Sequence, residues 1–102
     1  MHFTLSPADL LQCAEALSKT CHEHMHTQRG GSVERARTAM LIVLVADAVA
    51  TANVARAAEQ ALEMAEGTEL QSHAYARLAS RTDEAEKTLA FALKRVDESL
   101  FA

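Results

Sequence analysis

The side chains best equipped for chemistry sit in one short run, Thr20-Cys21-His22-Glu23-His24-Met25-His26. Imidazole, thiol and thioether together make a donor set for copper or zinc. The surrounding periodicity is helical. On a helix, His22 and His26 stand one turn apart, at i and i+4, and can share one ion. Cys21 and Met25 form a second such pair on the neighbouring face, and His24 completes the candidate set. A plainer reading competes with the metal. Cys21 continues an apolar ladder, where free cysteine behaves as a small hydrophobe. His22 and His26 continue the polar stripe of Glu15 and Lys19, and histidines near a helix C-terminus suit the macrodipole.

No other constellation reaches as far. Asp47 has Val43, Leu44, Ala50 and Thr51 at its i±3 and i±4 positions, so it lacks a basic partner on its own helix. Buried there, its carboxylate would be costly. It is then either an ion-paired or proton-handling acid, or a residue that faces a solvent gap or meets Arg77 or Arg81 across the bundle. Glu59, Glu63 and Glu66 read as an exposed face beside Arg56, without the Glu-x-x-His of a di-iron site. His73 lies in SHAYARLAS, a plain amphipathic turn. There is no glycine-rich phosphate loop and no aromatic stacking platform.

The elements that position these groups are three helical runs. The first opens at Ser6-Pro7-Ala8-Asp9, with Ser6 as cap, Pro7 in the first helical position and Asp9 closing a capping-box-like pair. Its ladder is Leu10, Ala14, Leu17, Cys21 and then His24 or Met25. It ends at Gly30-Gly31, which suits a left-handed cap. The second run, from Ser32 to Gly67, has no proline and no internal glycine, and Ser32 serves as its cap. Met40 to Ala46 is apolar on every face, which calls for neighbours all round. One seam is Met40, Leu44, Ala48, Thr51, Ala55, Ala58, Leu62. A second is Ile42, Val45, Val49, Ala52. A third is a ridge of small residues, Ala46, Ala50, Val54, Ala57, Ala61, Ala65. The third run opens with a capping box, Thr68-Glu69-Leu70-Gln71, and its ladder runs from Leu70 through Leu78, Ala85 and Leu89 to Val96 and Leu100. The second run could break near Thr51 to Asn53, or the third at Ser80.

These features predict an all-α antiparallel bundle of three long helices, or four if either break occurs, forming a single domain over residues 1–102. Helices 2 and 3 would each span ~50 Å and helix 1 ~34 Å at 1.5 Å per residue. The hairpin end between Val54 and Leu78 is then bare, and dimerisation is the expected way of covering it.

The segments LLQCAEALSKTC and VADAVATA resemble the C-A-E/D-A-C rhythm of the cysteine-rich four-helix copper-storage family. The resemblance implies a four-helix bundle. It does not imply copper storage, because Val, Ala and Thr stand where that family repeats cysteine, and only Cys13 and Cys21 remain.

Composition narrows the partners. Ten Lys and Arg are scattered among fourteen Asp and Glu, for a net charge of -4, which argues against a nucleic-acid backbone binder. Ala39 to Ala55 is the nearest approach to a membrane span, but it is short and carries Asp47. Cys13 and Cys21 are ~12 Å apart along one helix, too far for a disulfide. Free thiols and the lack of a recognisable leader in MHFTLSPADL make the cytoplasm the expected compartment. The expected function is non-catalytic: a homo-oligomeric adaptor, regulator or chaperone-like module that binds another helix. The alternative is a metal- or small-ligand-binding bundle that uses Cys21 to His26.

Overall fold

A computed structural model describes residues 5–101. Three helices run back and forth: α1 (Pro7–Thr27), α2 (Ser32–Ala65) and α3 (Gln71–Val96). A wide π turn, Asp97–Phe101, continues α3. Among the described residues there is no strand. Helices α2 and α3 run unbroken through Asn53 and Ser80, so three helices form rather than four. The Thr51 hydroxyl donates back to the Ala48 carbonyl at 3.2 Å instead of capping a new helix.

The ends of the helices follow the sequence in some places and depart from it in others. Ser6 caps α1, its Oγ accepting from the Asp9 amide at 3.1 Å. Gly31, not Ser32, is the N-cap of α2, and no side chain bonds there. The Gly30-Gly31 pair does not adopt a left-handed cap; α1 ends on Gln28 in extended backbone. Glycine at position 30 instead permits close approach, since a Cβ there would lie 2.8 Å from Glu34 Cβ. The left-handed residue is Gly67, at φ +76°. The capping box before α3 is displaced: Gln71 Oε1 accepts from the Gly67 amide at 3.1 Å, and Thr68 Oγ1 accepts from Leu70 at 3.2 Å.

The core is small and lined with alanine. Leu10, Ala14 and Cys21 of α1 meet Leu41, Val45, Ala48, Ala52 and Ala55 of α2 and Ala85, Leu89, Ala92 and Val96 of α3. Six of those twelve residues are alanine, so backbones approach closely and few large side chains fill the interior. The α1 ladder is buried as its spacing predicts. For α2, a single stripe is buried. Met40 (70% exposed) and Val43 (63%) lie open to solvent, so within one chain the apolar girdle is not surrounded. The small-residue ridge is open as well, except for half-buried Ala65.

At 1.5 Å per residue, α2 spans ~51 Å, α3 ~39 Å and α1 ~32 Å. The shorter α3 reflects its start at Gln71 and its passage into the π turn at Asp97. The shape is a slab of 57 × 27 × 16 Å. Its radius of gyration is 16.3 Å, against ~13 Å for a compact chain of this length. The bare hairpin end is present: Met64 and Leu70 are exposed beyond the reach of α1.

Candidate functional site

The Cys21 to His26 segment forms the last two turns of α1. The helix distributes these side chains around its circumference. Cys21 is fully buried in the core. Burial pushes its thiol above the ordinary value of 9.0, because desolvation disfavours the thiolate. His22 and His26 are exposed on the outer side, while His24 and Met25 are half-buried between. The Thr27 hydroxyl closes the turn on the Glu23 carbonyl at 3.1 Å. The structure therefore separates Cys21 from the imidazoles. The spacing that remains open to a shared ion is His22 with His26. Among the described residues, no three His, Cys, Asp or Glu side chains gather into a metal-sized group.

A cleft of about 490 Å³ opens where the start of α1 meets the α2–α3 hairpin. Glu59, Tyr75, Asp83 and Glu86 supply its polar wall, with Leu5 and Leu78 beneath. Two of the carboxylates are engaged: Glu59 with Arg56 at 3.2 Å, and Asp83 with Lys87 at 2.9 Å. Glu86 Oε1 is buried with no hydrogen-bond partner. Its described wall also carries the Ser6 and Thr82 hydroxyls. Sequence spacing could not assemble it, because its residues come from three elements.

The largest feature is the outer side of α2. Val33, Ala36, Met40, Val43, Asp47, Ala50, Val54, Ala57, Ala61 and Met64 are all exposed. They recur at alternating steps of three and four along the whole helix, which is the spacing of a coiled-coil seam. Asp47 is the one polar member. It faces solvent and makes no ion pair among the described residues; Arg81 is taken by Glu84 at 3.2 Å. The 3.5-residue period was present in the sequence, but the all-round apolarity of the helix centre concealed it. The same helix is long and apolar enough to cross a membrane by length and composition, with a mean hydropathy of 1.8 in its best window, of which 33% is buried.

No match is found among protein-family models, curated proteins or solved structures.

Proposed function

We propose that this chain is a non-catalytic helical module of the cytoplasm that acts by protein–protein association, as an adaptor or regulator, through the outer face of α2. The exposed ten-position seam carries this reading. Single apolar residues at a surface need no explanation, but a contiguous apolar stripe marks an interaction site. Sedimentation velocity over a concentration series tests the proposal. Association that Val43→Lys with Val54→Lys abolishes, while helicity is retained, supports it. A chain that stays monomeric at tens of micromolar overturns it.

A second reading rests on His22 and His26, both exposed and one turn apart. It makes the end of α1 a low-nuclearity site for copper or zinc, with Met25, at i+3 from His22, as the neighbouring donor. Titration calorimetry decides it, and a flat titration removes it.

A further inference from the structure

We infer that the occupant of the α2 seam is a second copy of this chain, laid antiparallel across a two-fold axis between Ala48 and Val49; the inference rests on the association reading above.

The area supports a second copy. A compact monomer of 11.1 kDa exposes about 5,700 Å², whereas this chain exposes 7063 Å². The excess, roughly 1,400 Å², exceeds the ~800 Å² each partner contributes to a standard interface. An α2 of ~51 Å supplies more than four heptads of seam, enough for a long helix pair.

Side-chain sizes suit a register centred on the middle of α2. In an antiparallel pair, the a layer of one helix faces the d layer of the other. Centring the axis between Ala48 and Val49 sets Met40 opposite Ala57, Val43 opposite Val54, and Asp47 opposite Ala50. Near the axis Met40 and Asp47 each meet an alanine and Val43 meets Val54; towards the ends Met64 meets Val33 and Ala36 meets Ala61. The interface is self-complementary, as a two-fold contact must be. Asp47 sits beside the axis, facing a methyl group rather than a second carboxylate in the same layer.

Charge fixes the direction. The start of α2 is basic: residues 29–37 hold Arg29, Arg35 and Arg37 against Glu34, a net +2. The far end is acidic: with Glu59 paired to Arg56, residues 60–69 hold Glu63, Glu66 and Glu69 and no cation, a net -3. None of the three arginines forms an ion pair within the chain among the described residues. An antiparallel partner brings its acidic end to these arginines, and a parallel one sets like charges together. A lipid surface fits less well, because Asp47 would enter the apolar layer near the middle of the span.

Disulfide trapping tests the arrangement in the full chain. In a Cys13→Ser background, Val43→Cys and Val54→Cys are made separately, their helicity is checked, and they are oxidised alone and mixed. The antiparallel register gives a cross-linked dimer in the mixture, several-fold faster than in either variant alone. Equal cross-linking of each variant with itself overturns the antiparallel register while leaving association standing. A chain that is monomeric by sedimentation and uncross-linked overturns both. Flotation of the monomer with phosphatidylcholine vesicles assigns the face to lipid instead and also overturns the inference.

Discussion

Thr38 donates its hydroxyl to Gln28 Oε1 at 2.9 Å, joining the residue that ends α1 to the second turn of α2. The Glu34 carbonyl, at 3.1 Å, is the alternative acceptor for the same proton. Thr38 is the buried polar residue of the core, only 2% exposed. Thr38→Val keeps the shape and removes the donor. It is expected to cost about 1 kcal/mol and to lower the melting midpoint by roughly 4–8 °C. Thermal denaturation followed by circular dichroism checks this, and an unchanged midpoint would show that the Thr38–Gln28 bond does not hold the turn.

The two cysteines are expected to differ in reactivity. Cys13 is exposed and Cys21 is buried. A thiol-specific chromogenic reagent should titrate one equivalent in the native protein and a second only on unfolding. Equal rates at both positions would place Cys21 outside the core.

The raised Cys21 pKa also predicts how stability responds to alkali. Below the ordinary value of 9.0, the thiol is protonated in both the folded and unfolded chain and has no effect on the pH dependence. Above it, the unfolded chain releases the proton while the folded chain holds it, so stability falls as pH rises. Denaturant midpoints from neutral pH to above pH 9 should decline in the parent and decline less in Cys21→Ala. Parallel curves for the two proteins would remove Cys21 as the source.

A metal at the end of α1 should bind near one equivalent of Cu(I) or Zn(II) and be lost in His22→Ala with His26→Ala. Binding should weaken in acid, since a ligating imidazole must be neutral. Cys21→Ala is expected to leave this binding intact, because Cys21 points into the core. Loss of binding in Cys21→Ala alone would mean that α1 rearranges around the ion.

At the α2 seam, Asp47→Leu is expected to tighten self-association at least tenfold, about 1.4 kcal/mol, by replacing a carboxylate with an apolar side chain in the layer nearest the axis. Arg35→Glu with Arg37→Glu should weaken it by a similar factor, more strongly at low ionic strength. A dissociation constant from sedimentation equilibrium that Asp47→Leu leaves unmoved would place Asp47 outside the interface.

Much of the fold was legible in the sequence. The ladder Leu10, Ala14, Leu17, Cys21 has the spacing of one buried helix face, and Ser6-Pro7 announces its start; both features are local, and both hold. The rule that a helix apolar on all sides must be enclosed misled for α2, because it does not say whether the enclosing helices belong to the same chain. Met40 and Val43 are exposed in the single chain. At the turn, Gly30-Gly31 does not form the left-handed cap; α1 ends on Gln28 in extended backbone, and a side chain at position 30 would collide with Glu34. The carboxylate cleft was not legible, since Glu59 of α2 and Tyr75 and Glu86 of α3 come together only through the pairing of those two helices.

The alanine-lined core has a consequence for how the protein responds to change. A core built on leucine and phenylalanine is hurt most by deletion, because removing a side chain opens a void. Here Ala48, Ala52, Ala55 and Ala85 have almost nothing to delete, and the helices are already in contact. The vulnerable direction is enlargement: a single added methylene pushes two backbones apart along the whole slab. Variation through this core should therefore be strongly one-sided, admitting glycine or serine more readily than valine or leucine.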